Sequence, residues 1–293
     1  MSETPAAPGA AHARALAALH VAVLLFGFAG LFGKWIALPA VTIVLGRAGI
    51  AAFALALLRR FAQAARRDGA TGGFDWRLAS GGAVLALHWV AFFEAIHIAT
   101  VAVALLGFAS FPLFVLLLEA LTRQRRLRGG EWATAALVTA GLLLLVPEFR
   151  LGNRIVQGLL WGVLSGFTFA LLAVANRALA ARHAPEAIAL SQNACAAVLL
   201  LPLALAASAI PSARDLALLV VLGVACTALA HTLFIRSLGA LSAHTASVVA
   251  ALEPVYGIGL AFALLGEPPS LRTLAGAALI VGAALLATRA SLR

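Results

Sequence analysis

Long apolar stretches recur along the chain from His20 to Ala287, each ended by a short polar or arginine-rich segment. A window of about 20 apolar residues is the length that crosses a hydrocarbon core as an α-helix. Strands of a membrane barrel would be about 10 residues long and strictly alternating, and the chain lacks that alternation. The pattern predicts ten helices, at roughly 18–37, 40–59, 77–98, 101–121, 131–147, 155–177, 186–209, 214–236, 243–265 and 271–289. The loops between them are short, so sequence neighbours are expected to pack antiparallel. The first apolar segment follows a tail containing Arg14 and has no clear cleavage site after it. It reads as a retained helix rather than a signal peptide.

The basic residues set an orientation, because short cytoplasmic loops carry the excess of Lys and Arg. With the N-terminus inside, the inner face collects Arg14, Arg59, Arg60, Arg66, Arg67, Arg77, Arg123, Arg125, Arg126, Arg128, Arg177, Arg182, Arg236, Arg289 and Arg293. The outer face has Lys34, Arg150, Arg154, Arg214 and Arg272, and only Arg47 lies well inside a helix. Both termini are therefore expected in the cytoplasm. Trp76, Trp132 and Trp161 fall near predicted helix ends, where amphipathic rings favour the interface.

Composition agrees with this reading. Hydrophobic residues make up 63% of the chain, charged residues 11%, and the mean hydropathy is +1.04. Soluble domains are about half apolar and a quarter charged, so 11% is too little charge to cover a water-facing surface. The net charge of +10 then reflects orientation rather than nucleic-acid binding. Cys195 and Cys226 both lie in apolar helices, no metal-ligand spacing is present, and no glycine-rich phosphate loop is followed by a lysine. No cofactor and no ATP-hydrolysing part are expected.

The chain repeats itself at an offset of 142 residues. Phe92 falls on Phe234 and Pro112 on Pro254, while LRGGEWATAALVTAGLLLL (127–145) runs ungapped beside PSLRTLAGAALIVGAALLA (269–287). LFGFAGLF (25–32) resembles LWGVLSGF (160–167) at a slightly different offset. The expected organisation is a tail over 1–17, a first five-helix repeat over 18–150 and a second over 151–293. Five is odd, so the second repeat enters the membrane upside down relative to the first. Inverted repeats can exchange conformations to open one central site to either side, which favours transport over a membrane-anchored enzyme. Gly27, Gly30 and Gly33, with Gly158, Gly162 and Gly166, form small-residue faces of the kind that let helices approach closely in lipid.

The two-repeat plan, Arg47 in the second helix, Pro112 in the fourth, LLWGVLSGF (159–167) opening the second half and EPVYGIGLAFALLGE (253–267) near the end together resemble the EamA-type branch of the drug/metabolite transporter superfamily. The resemblance spans about residues 18–289. It implies an all-α bacterial inner-membrane protein that exports small metabolites, among them amino acids. Within that branch the chain is similar to exporters of aromatic amino acids and paraquat-like dications. The first half departs from the pattern, with Gln124-Arg125 where the second has Gly266-Glu267.

Polar side chains inside apolar helices are costly and default to functional candidates. Glu253 precedes Pro254 in the ninth helix, where proline removes a backbone donor and disturbs the preceding turn. The carboxylate can contact a substrate amine, carry a proton or pair with Arg47. Its counterpart beside Pro112 is Phe111. Arg47 can pair with a substrate carboxylate through its planar fork, or hold a helix contact. Glu94 and its repeat counterpart Arg236 suit gates or interface positions, expected at opposite faces. His88, Trp89, Trp161, His231 and Tyr256 are candidate wall residues, His231 being the repeat counterpart of Trp89, and Phe26, Phe28, Phe167 and Phe169 add aromatic area. Such a wall suits a small amphipathic solute and not a bare ion, since no ring of carboxylates or carbonyl filter is present. A lipid or lysolipid flippase is the main alternative, and a membrane enzyme or scaffold a weaker one, because no paired catalytic groups occur at helical spacing. Lipids are the expected surroundings, and one chain holding both halves is mechanically sufficient as a monomer.

Overall fold

The computed structural model describes residues 8–66, 76–122, 129–145 and 152–291. Arg67, Arg123, Gln124, Arg125, Arg126, Arg128, Arg150 and Arg293 lie outside the described residues, and with them much of the basic clustering expected to set the orientation.

The elements are α1 Pro8–Trp35, α2 Ala40–Arg66, α3 Trp76–Ile98, α4 Val101–Phe108, α5 Phe111–Thr122, α6 Gly129–Leu145, α7 Arg154–Leu179, α8 Pro185–Ala206 and α9 Ala213–Gly223. A π turn over Val224–Leu229 comes next, then α10 Ala230–Leu238, α11 Ala243–Ala250, α12 Glu253–Leu265 and α13 Leu271–Ser291. Taken end to end, α4 with α5, α9 with α10 through the π turn, and α11 with α12 are three interrupted helices, so the described elements make ten. Seven are long and apolar enough to span a membrane, while 132–144, 253–265 and 271–283 are shorter apolar stretches. The protein is an all-α, multi-pass membrane protein. Its outward faces carry side chains such as Phe53, Leu121 and Leu205 that only lipid would solvate.

α1 starts at Pro8, ten residues before the predicted start. Proline is tolerated in a first helical turn, where its missing N–H has no partner to lose, and the alanine-rich segment after it has high helix propensity. Trp76 and Trp132, near the starts of α3 and α6, are both exposed, as rings at a lipid–water boundary would be.

The repeat reappears in where helices stop and restart. α4 stops at Phe108 and α5 restarts at Phe111; α11 stops at Ala250 and α12 restarts at Glu253. These positions, and the starts of α6 and α13, differ by the same 142 residues as the sequence match. Pro112 and Pro254 each occupy the first turn of the restarted helix, which explains both breaks: a proline has no N–H for the carbonyl four residues back, and its ring clashes there, at Phe108 and Ala250 where the preceding helices stop.

Packing also pairs the halves. α1 runs against α10 and α12, while α7 runs against α3, α4 and α5. The crossings are close because small residues sit in them: a Cβ on Gly107 would lie 2.9 Å from the Cα of Gly162. At one end, Lys34 donates to Ala99 O (3.0 Å) and lies 4.0 Å from Glu267, whose other oxygen accepts from Val101 N–H (3.3 Å). Arg154 donates to Ile98 O at 2.8 Å beside it. In the second half Arg177 donates to Leu238 O and Leu241 O, and Leu241 is the repeat counterpart of Ala99. Cations on the last carbonyls of a helix complement its dipole, so both turns are fixed by the same device.

Candidate substrate site

The restart of α12 at Glu253 places a carboxyl group on the helix's positive end. Glu253 is 3% exposed, and its Oε2 has no hydrogen-bond partner. The side chain lines a cavity of about 30 Å³ together with Phe26, Ala29, Arg47, Leu85, His88, Trp89, Phe92, Phe108, Phe169 and His231. Such a volume has room for about two water molecules, so a larger solute requires the walls to separate.

Arg47 reaches the cavity from α2 and is almost wholly buried. Its Nε donates to Thr227 Oγ1 at 2.9 Å and its Nη2 to Cys226 O at 3.2 Å, both on the π turn. The guanidinium also lies 4.1 Å from the centre of the Trp89 ring, a cation–π distance. Arg47 thus directs these contacts to the π turn and Trp89, and Glu253 Oε2 is left without a partner.

The two imidazoles are held as opposite tautomers. His88 Nδ1 lies 3.0 Å from Ser165 O and 2.9 Å from Ser165 Oγ. A carbonyl only accepts, so Nδ1 carries the proton and Nε2 is an acceptor, an assignment made from partners. Asn193 Nδ2 donates to Ala189 O at 2.8 Å, which fixes the amide's orientation. Its second hydrogen faces His231 Nδ1 at 3.3 Å, so His231 accepts there and carries its proton on Nε2. The wall therefore offers one imidazole acceptor and one imidazole donor.

Repeat counterparts meet at the cavity: the Trp89 and His231 rings are 6.0 Å apart and edge-on. Phe169 lies at the centre of the aromatic part, 4.9 Å from His88, 5.0 Å from Phe234, 5.1 Å from Phe111 and 5.3 Å from Phe108. Arg47, His88, Trp89, His231 and Glu253 are thus brought to one place. Trp161 and Tyr256 are half-buried and not among the lining residues, Tyr256 lying against Gly27. Pro112 and Pro254 are buried at their helix restarts, behind the wall. Glu94 is half-buried on α3, away from the cavity, and Arg236 pairs instead with Glu186 at 2.6 Å. Leu85, Phe92 and Phe108 join the wall although their sequence surroundings do not single them out for it. Among the described residues no group of His, Cys, Asp or Glu is arranged to hold a metal ion.

A buried aromatic chamber at a junction of broken helices, lined by a guanidinium and a carboxyl group, is compatible with the binding of a small solute. The chain belongs to the EamA-like transporter family of the drug/metabolite transporter superfamily: the family model matches residues 156–289, and full-length relatives extend the match over both halves. Two are the pseudopaline exporters CntI of Pseudomonas aeruginosa strains UCBPP-PA14 and PAO1, each 31% identical over 255 residues, or 86% of this chain and 87% of the relative. A solved crystal structure superposes with a TM-score of 0.71 at 23% identity, covering 94% of this chain and 98% of its own, and shows the same fold. The protein is a multi-pass transporter of small molecules in the bacterial inner membrane.

Proposed function

We propose that the protein exports small zwitterionic, amphipathic metabolites, amino acids with aromatic side chains foremost, by alternating access of the cavity. The observation that carries this reading is a guanidinium and an unpartnered carboxyl oxygen lining one aromatic chamber. Arg47 supplies a planar cation for a carboxylate, Glu253 supplies a buried acceptor oxygen for an ammonium group, and Phe26, Phe92, Phe108 and Phe169 supply the surface for a ring. Export as the direction is supported by the relatives, whose names describe exporters.

Alternating access is supported by the matched breaks, by the exchange of helix contacts between the halves and by the meeting of Trp89 with His231. All three are what two inverted five-helix repeats about an axis through the cavity would produce. In this reading both termini are cytoplasmic, and the end held by Lys34 and Glu267 faces outward. Glu253 is the group placed to couple proton movement to solute movement.

The test is uptake by purified protein in liposomes. Labelled phenylalanine, tryptophan, threonine and methionine are compared with pseudopaline, a sugar and a fluorescent lysolipid, with and without a proton gradient. Saturable phenylalanine flux that falls at least tenfold in Trp89→Ala or His88→Ala is expected. Flux of lysolipid alone would replace the reading with a flippase, and flux of pseudopaline alone would move the substrate to the solute named for those relatives.

A further inference from the structure

We infer that the π turn is a positioning device for Arg47, with Thr227 as its positioning residue, and that it holds the guanidinium where a solute carboxylate arrives. This rests on the zwitterion reading above and adds to it a part of the protein that does not line the cavity. The π turn is six residues long, Val224–Leu229, and Ala230 N–H reaches back five residues to Ala225 O. π turns are rare and recur at functional sites because the wider turn leaves backbone groups available outside the ladder. Here Cys226 O accepts from Arg47 Nη2.

Thr227 does the rest through a chain of two hydrogen bonds. Its hydroxyl hydrogen goes to Leu222 O at 2.7 Å, five residues back. With that hydrogen committed, the oxygen's lone pairs are the groups that meet Arg47 Nε–H at 2.9 Å. In a regular α-helix a threonine hydroxyl bonds three or four residues back, so the π geometry sets the direction of this acceptor. Close approach of α2 is part of the arrangement: a Cβ on Gly223, just before the turn, would lie 3.1 Å from Arg47 O and 2.7 Å from Ile50.

The result is a guanidinium fixed along its Nε–Nη2 edge by the π turn and on one face by Trp89. An arginine has five N–H donors in a rigid fork, so fixing that edge also fixes where the Nη1 end points. Carboxylate recognition depends on that orientation, whereas recognition of a neutral amide at the same place does not draw on the charge.

The experiment compares Thr227→Ser, which keeps the hydroxyl, with Thr227→Val, which keeps the shape and loses it. Uptake of labelled phenylalanine and of phenylalaninamide is measured in liposomes. Thr227→Val is expected to raise KM for phenylalanine about tenfold, the usual scale for one hydrogen bond to a charged group, with kcat and phenylalaninamide uptake little changed. Thr227→Ser should behave as the unsubstituted protein. Equal KM values for phenylalanine in all three proteins, or equal losses for both solutes, would overturn the assignment.

A second readout does not depend on the solute. The Nε–H resonance of Arg47 in nitrogen-15-labelled protein, identified by its loss in Arg47→Lys, should be protected from exchange in Thr227→Ser and lost in Thr227→Val. If the unsubstituted protein moves neither solute, the zwitterion reading fails. The resonance then decides the positioning alone, and protection persisting in Thr227→Val would refute it.

Discussion

Glu253 keeps a buried carboxylate oxygen without a donor. Such an oxygen is costly unless something supplies one, and here the donors are a proton, a water or an ammonium group. Glu253→Gln keeps the shape and removes the titratable group. It should leave the Tm within about 2–4 °C of the unsubstituted protein, the change expected for about 1 kcal/mol in a chain of this size. It should also abolish any acceleration of uptake by a proton gradient. Scanning calorimetry and gradient-driven uptake check the two halves of that expectation, and a gradient effect that survives would remove Glu253 from coupling. At this scale much of the site was legible in the sequence. Arg47, His88, Trp89, His231 and Glu253 stand out because polar side chains in apolar helices need a reason to be there. Leu85, Phe92 and Phe108 do not stand out as wall residues, because nothing local separates a phenylalanine that lines a chamber from the others among 16 that pack or face lipid. Thr227 is hidden for a different reason: one hydroxyl in an apolar helix is unremarkable until its partner 180 residues away is known.

At the scale of elements, the helix breaks are the informative feature. The hydropathy pattern runs 101–121 and 243–265 as unbroken helices, whereas each stops and then restarts one residue before a proline. The signal is present in Pro112 and Pro254 but does not say whether the proline kinks a helix or begins a new one. The π turn has no such signal, since VACTAL contains neither proline nor glycine and the partner it meets, Arg47, is on another helix. Pro112→Ala and Pro254→Ala should each let the restarted helix join its predecessor. The expected outcome is a stability change of about 1 kcal/mol or less, the usual scale for such substitutions, with a several-fold loss of flux. Parallel thermal melts and liposome uptake check this, and full flux in both variants would mean that the breaks are incidental to transport.

The whole molecule is asymmetric despite its repeat. Lys34 and Glu267 join the first half to the second at one end, but the residue matching Glu267 is Arg125, which has the same charge as Arg177. The tether at one end thus has no electrostatic twin in the sequence at the other. A partly exposed ion pair of this kind is worth about 1 kcal/mol or less and weakens with salt, so under the alternating-access reading proposed above it would bias the open states rather than lock one. Holding the pair covalently should do what the ion pair alone does not. In a Cys226→Ala, Cys195→Ala background, Lys34→Cys with Glu267→Cys bridged by a short thiol cross-linker is expected to lose uptake and to regain it on reduction of a cleavable linker. Undiminished flux in the bridged protein would place the moving parts elsewhere. The helix number and the packing of small-residue faces are readable from the residues alone, because hydropathy and periodicity are long-range patterns. Which helices of the two halves touch is not, because a small-residue face such as that of Gly158, Gly162 and Gly166 does not name its partner, and Gly107 opposite it belongs to no such series.

Trp89 gives the protein an optical report of its own centre. Its indole is covered by the Arg47 cation and met edge-on by His231, while Trp76 and Trp132 are exposed and Trp35 and Trp161 are half-buried away from the cavity. A solute that draws Arg47 or parts the walls must change the field and polarity around this one ring. The emission of the protein minus that of Trp89→Phe is then a titration curve for the chamber, read without a labelled solute and before any net flux has begun.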